Sequence, residues 1–301
     1  MPIEELRDLI QRHVRPDMST DIEGVMIATH DTSALEHSMS GTVMALIAQG
    51  AKRLALGDKV YEYGAGQYLM SSMDMPVSGQ FLEASPGRPA MGFGLVLNPA
   101  EVAELLLQVG TAGMRDGKGS PPAGMIVSDA SPQLLDAVIR LLRLLDQPRD
   151  LPVLAPLIKR EIVWHLIVGE QGATVRQLGL ADSNLGHIAR AVRWIREHHA
   201  RQFRVEDIAE VCGMSASAFY RNFQAVTAMS PIQFQKQIRL QEARLLLAAQ
   251  PNDVAGIGYK VGYGSPSQFS REYRRHFGAP PSQDALRLHD ATLSRDLQAV
   301  L

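Results

Sequence analysis

The sequence predicts an α+β chain: a front part of short β-strands closed into a barrel or jelly roll and flanked by helices, then an all-α part with two helix-turn-helix units joined by a long helix. Three observations predict it. Residues 24–97 alternate short apolar runs with turn residues, as many-stranded antiparallel domains do. Helical periodicity takes over after residue 98. The last third of the chain repeats itself at an offset of about 50 residues. At 301 residues the chain exceeds what one hydrophobic core serves, so two domains are expected, 1–184 and 185–301.

The strand runs are Val25 to Thr29, Thr42 to Ile47, Lys52 to Leu56, Lys59 to Tyr63 and Gln67 to Met70, with Gly57-Asp58 and Gly64-Ala65-Gly66 as turns. An amphipathic opening with Ile3, Leu6, Leu9 and Ile10 on one face precedes them. Asn98-Pro99-Ala100-Glu101 supplies a cap, a proline at the first helical position and an acid at the third, so a helix is expected from there through Leu107. The Gly, Ser and Pro-rich stretch 115–122 reads as a loop. Ser131 or Asp129 caps a helix carrying Leu134, Leu135, Val138, Leu141, Leu142 and Leu145 on one face, and a second amphipathic helix runs from Leu151 to Val168. The leucine face suits either the covering of the barrel or a dimer contact, with Arg140 and Arg143 beside acids such as Glu161. Residues 169–185, polar and rich in glycine, read as the connection between the parts.

Charge divides along the chain. From Leu185 onward 15 Lys and Arg face 10 Asp and Glu, a net of about +5, against about −7 for the first 184 residues. A basic segment beside an acidic one fits a phosphate-binding module joined to a part that does not bind nucleic acid. The opening Met1-Pro2-Ile3-Glu4-Glu5-Leu6 lacks the bases and apolar run of a signal peptide, and no stretch has the ~18 apolar residues of a membrane helix, so the expected location is the cytoplasm, with no membrane partner. Cys212, the sole cysteine, excludes an intrachain disulfide and reads as core filler.

Within the repeat, Phe219-Tyr220-Arg221-Asn222-Phe223 falls on Phe269-Ser270-Arg271-Glu272-Tyr273, and Ser230-Pro231 on Pro280-Pro281. Each copy is a short helix, a glycine turn (Gly213, Gly262) and a second helix begun by a serine (Ser215, Ser265), the units spanning about 205–225 and 254–275. Phe219 and Phe223, like Phe269 and Tyr273, recur at i and i+4 and are expected inside. Burying them exposes Ser217, Tyr220 and Arg221 in the first unit and Ser267, Gln268, Ser270 and Arg271 in the second. These, with the serines at positions 215 and 265, form the expected DNA contacts. The helix from Pro231 to about residue 248 spans roughly 27 Å at 1.5 Å per residue. That length holds two recognition helices near the ~34 Å that separates successive major-groove faces.

The segment Gly262-Tyr263-Gly264-Ser265-Pro266-Ser267-Gln268-Phe269-Ser270-Arg271, followed by Phe277-Gly278-Ala279-Pro280-Pro281, resembles the signature of the AraC/XylS family of regulators. The front part is similar to the N-terminal domain of one branch of that family, through Gln49 to Asp58, Tyr61-Glu62-Tyr63 and Gly66 to Met70. The resemblance implies a cupin-like β-barrel sensor joined to an AraC-type DNA-binding domain. The expected function is a transcription factor answering to a small molecule, and the expected partners are double-stranded DNA at a promoter or operator, an effector, RNA polymerase and a second copy of the chain. Gly256 and Gly258 stand where the family usually has alanine, which is expected to loosen the second unit by about 1 kcal/mol per glycine.

Tyr61, Tyr63, Tyr68 and Met70 are either core or the lining of an effector pocket. The rival function is a cupin-type enzyme or small-molecule-binding protein carrying a nucleic-acid module. A metal centre would need histidines and carboxylates converging from neighbouring strands, whereas His13, His30 and His37 form no close His-x-His pair. No cofactor and no catalytic residue is therefore expected.

Overall fold

The computed structural model describes residues 2–109, 123–180 and 183–289; the expected loop at 115–122 lies outside the described residues. Helix α1 (Pro2–His13) is followed by β1 (Val25–His30), β2 (Glu36–Met39), β3 (Thr42–Gln49), β4 (Ala51–Leu56), β5 (Lys59–Gly64), β6 (Gln67–Ser72), β7 (Pro76–Leu82) and β8 (Ala90–Val96), then α2 (Pro99–Val109) and β9 (Met125–Asp129). The described strands pair antiparallel, in two sheets ordered β1-β8-β3-β6-β9 and β2-β7-β4-β5. That interleaving, with strand 8 between 1 and 3 and strand 7 between 2 and 4, is the jelly-roll order. Ile47, Tyr63, Leu69, Phe81 and Ala90 fill the space between the sheets.

The outer face of the first sheet is equally apolar. Ile27, Met44, Leu46, Tyr68, Met70, Phe93 and Leu95 meet Leu6, Leu9 and Ile10 of α1 and the helices α3 (Pro132–Arg143) and α4 (Leu151–Val168). Ser131 caps α3, its Oγ accepting from the Leu134 N–H at 3.1 Å. The leucine face of α3 is thus spent on this chain's own sheet. Leu134, Val138, Leu141 and Leu142 are at most 2% exposed, so they cannot also form a dimer contact. Arg140 pairs with Glu161 at 2.5 Å and Arg143 with Glu5 at 2.6 Å, both within the chain. The stretch read as the connection between the parts holds a further helix, α5 (Gly172–Leu178), whose Val175 is buried against the same layer.

From α6 (Asn184–Glu197) onward the described chain is helical: α7 (Val205–Val211), α8 (Ala216–Thr227), α9 (Pro231–Ala249), α10 (Val254–Lys260) and α11 (Pro266–Phe277), then a helical stretch at 281–289. The two halves share a core. Leu54, Leu56, Met73, Met75, Val77 and Met125 of the jelly roll pack with Ile188, Phe219, Phe223, Val226, Met229 and Phe234. The backbones meet as well, the Gly124 N–H donating to the Val226 carbonyl at 3.0 Å. At Gly57, in the β4–β5 turn with φ +59°, a Cβ would stand 2.4 Å from the Ala228 carbonyl oxygen, so only glycine admits that approach.

Because Leu141 is core and not interface, Leu141→Ala is expected to cost about 2–5 kcal/mol in denaturant unfolding through the cavity it leaves. Its assembly state by sedimentation should match the parent's; dissociation without loss of stability would return the helix to an interface.

Candidate nucleic-acid interface

In the first unit Asp207, at the third position of α7, accepts from the Arg204 N–H at 3.4 Å, and Ile208 and Ala209 are buried. Gly213 then takes φ +66°, a left-handed conformation that lets the chain reverse without a Cβ clash. Ser215 starts α8 as expected, its hydroxyl accepting from the Ala218 N–H at 3.3 Å. Phe219 and Phe223 are fully buried, their rings tilted to each other at 51° with centroids 5.4 Å apart. Burial of that face turns Ser217, Tyr220 and Arg221 outward; Tyr220 is 43% exposed, and Arg221 makes no ion pair among the described residues.

The second unit follows the same plan. Asp253 caps α10, its Oδ1 accepting from Gly256 N–H at 3.0 Å, and Gly262 turns with φ +96°. Phe269 and Tyr273 are fully buried, and Ser267, Gln268 and Arg271 are exposed, with Ser270 half-buried. Two details depart from expectation. Ser265 occupies the cap position of α11 without a side-chain cap bond, which leaves its hydroxyl available. Gly258 is more than a weak helix former: a Cβ there would stand 3.0 Å from the Phe269 ring, so the missing side chain lets α10 sit close on α11.

Behind the outward face of α11, Glu272 gathers Lys236 (3.2 Å), Gln268 (3.2 Å) and the Tyr263 hydroxyl (3.1 Å). Burial alone would raise its carboxyl, but these three donors outweigh it and hold the group below the usual carboxylate range. Gln268 is thereby oriented on the helix surface. Deeper in, the Tyr273 hydroxyl donates to Asp284 at 2.8 Å and Arg244 to the same oxygen at 3.0 Å; burial first, then that carboxylate, push the phenol up.

Helix α9 ties the units together. Ser230 and Gln233 form a reciprocal capping box at its start. Arg239, midway along it, donates from Nε to the His199 carbonyl at 2.7 Å and from its terminal nitrogens to Gly262 at 2.9 Å and Arg201 at 3.1 Å. Gln235 adds bonds to the His199 and Arg201 carbonyls at 2.8 and 2.6 Å.

The outward faces of α8 and α11 also carry Gln224 and Arg274, both exposed one turn beyond Arg221 and Arg271 and not among the expected contacts. Extending the helical period by three residues from each arginine would have found them. The four residues offered as an effector pocket are not brought together. Tyr63 is 3% exposed between the sheets and Tyr61 lies half-buried beside it, whereas Tyr68 and Met70 lie on the outer face of the first sheet, under the helices. Cys212 is fully buried in the shared core, and burial raises its thiol, as filler requires.

Residues 21–174 match the family model described as the AraC-type transcriptional regulator N-terminus, and residues 208–287 match a helix-turn-helix domain model. The chain is 27% identical over 209 residues to the HTH-type transcriptional regulator ExsA of Pseudomonas aeruginosa, covering 69% of this chain and 68% of that one. It is 26% identical over 151 residues to the HTH-type transcriptional activator RhaS of an Enterobacter species, with 50% and 53% covered. Among solved structures, apo ToxT from Vibrio cholerae superposes with a TM-score of 0.56 at 12% identity, covering 90% of this chain and all of that one, and ToxT bound to an unsaturated fatty acid gives 0.53 at 11%, covering 89% and 97%. At that identity the superposition speaks to fold. A family model that spans half the chain, beside a helix-turn-helix model over the repeat, places this protein among the AraC-type transcriptional regulators.

Proposed function

We propose that this regulator reads DNA with α8 and α11 in successive major grooves, through Ser217, Tyr220 and Arg221 in one and Ser267, Gln268, Ser270 and Arg271 in the other, with Ser215 and Ser265 at the helix starts toward the phosphates. The observation that carries the reading is the equivalence of Arg221 and Arg271. Each lies two residues past a fully buried phenylalanine, exposed and without an ion pair among the described residues. Unpaired guanidiniums on such a face suit bidentate contact with guanine edges. The division of labour falls near residues 184 and 185: a cupin-like jelly roll answers to a small-molecule effector, and the helical part binds promoter or operator DNA and meets RNA polymerase, in the cytoplasm. No helix of the described residues is long and apolar enough to cross a membrane. The ToxT structures with an unsaturated fatty acid and with a naphthalenyl-butenoic acid support effector binding in this architecture.

The enzyme reading is set aside because the histidines it would need go to separate neighbours. His13 pairs with Asp146, His30 stacks on Phe81 and His37 bonds Ser78. Conversion of a bound effector by the intact protein would restore it. The second copy of the chain, displaced from α3, is better met by α4, where Val153 and Leu157 are 66% and 60% exposed.

Arg221→Ala and Arg271→Ala are each expected to weaken cognate binding by about 1–3 kcal/mol and to relax base preference in different half-turns of the site. Equal loss on all sequences in selection experiments would make them phosphate clamps. Leu157→Glu is expected to shift the full chain from dimer to monomer in sedimentation without lowering its unfolding midpoint. A parent chain that is monomeric at every concentration would contradict the assembly proposed.

A further inference from the structure

The far end of α11 rests on the jelly roll. His37, on β2, lies edge-on to Phe277 with centroids 4.9 Å apart, and 5.1 Å from the ring of His276. Its Nδ1 shares a 2.7 Å hydrogen bond with the Ser78 hydroxyl of β7. The Nε2 of His276 is buried with no hydrogen-bond partner among the described residues. On the next residue of β2, the Ser38 carbonyl accepts from Gln241 of α9 at 3.1 Å. Two imidazoles therefore face one another across the seam between the sandwich and the second helix-turn-helix unit.

The charged groups around the pair offer little help to a proton. Arg244 of α9 lies over Phe277, 4.9 Å from its centroid, and Arg275 is the neighbour of His276 on α11. Asp284, from the stretch 281–289, faces the pair with its charge already met by Arg244 and the Tyr273 hydroxyl. On β2 itself Glu36 flanks His37 from the exposed side of the strand.

We propose that the jelly roll holds the second helix-turn-helix unit through this two-histidine contact and releases it when the imidazoles take up protons, so that the seam opens while Arg239 keeps the two units in register. Burial, then His276 and Arg244, push His37 down to about 4 against the opposing pull of Asp284; burial, then Arg244 and Arg275, lower His276. The docked state thus binds fewer protons than the released one. The contact is at full strength above the free imidazole value of ~6.5 and weakens as pH falls below it, until the docked pair protonates too. Between pH 7.5 and 5.5, His37 alone weakens docking by about tenfold.

The inference rests on α11 being the second reading helix, but its test reads docking and not DNA affinity, so the two fail separately. Donor and acceptor dyes on Val60→Cys and Gln283→Cys in the full chain, both sites exposed and Cys212 buried, report the seam by energy transfer. Transfer is expected to fall between pH 7.5 and 5.5 while helical circular dichroism stays constant. It should stay high at both pH values in a His37→Leu, His276→Leu double variant and low at both in His37→Lys. Equal pH dependence in parent and double variant, unchanged transfer in the parent, or a fall that tracks loss of helix would overturn the proposal. Should the double variant fail to fold, imidazole titration of the parent by NMR decides it: ordinary values near ~6.5 for both histidines would overturn the proposal, and depressed values would support it.

Discussion

The guanidinium of Arg239 holds the DNA-reading half in one shape. It enters the short passage after α6, where the carbonyls of His199, Ala200 and Arg201 have no helical partners, and reaches the Gly262 carbonyl at the turn of the second unit. A fixed cation is the natural occupant of such a place, since the carbonyl end of a helix is electronegative and its last oxygens lack donors. The approach is close enough that a Cβ on Gly262 would stand 2.3 Å from the Ala200 oxygen. One side chain on α9 therefore sets how far the turn of the second unit can stray from the helix supporting the first, and through it the relation of α8 and α11, the proposed reading helices.

The same economy of glycine and backbone governs the seam between halves. Gly57 and Gly124 bring the turns at one end of the jelly roll directly onto the corner between α8 and α9. Around them methionines Met73, Met75, Met125 and Met229 make an adaptable apolar filling. Asp74 pairs with Arg196 across the same seam. A change of shape in the sandwich would thus be felt first at the end of α8, one turn from Phe223, and carried along α9.

Much of the helical half was legible because its signals are local. The i, i+4 spacing of Phe219 and Phe223, the left-handed glycine and the capping serine are each set by near neighbours in sequence, and their recurrence 50 residues later confirmed the pattern against itself. The front half was legible as strands and less so as faces. Period-two alternation tells inside from outside only when one face of a sheet is wet. Here helices cover the outer face of the first sheet, so Tyr68 and Met70 look inward-facing in sequence yet belong to the apolar layer between that sheet and the helices. For the same reason the leucines of α3 could not be assigned to core or partner without the sheet beneath them. The role of Gly258 was hidden because propensity records what glycine costs a helix, while the ring of Phe269 that needs the space lies elsewhere in the chain.

The central claim, that α9 and Arg239 fix the spacing of the two proposed reading helices, α8 and α11, is tested most directly by the tolerance of binding to spacing. Affinity would be measured for DNA carrying the two half-sites ~10 base pairs apart, one helical turn, and for the same half-sites moved by half a turn. The account predicts that the parent strongly prefers the first DNA and that Arg239→Ala, still folded and still binding single half-sites, loses most of that preference. A variant that discriminates spacing as sharply as the parent would show that something other than this clamp holds the units in register.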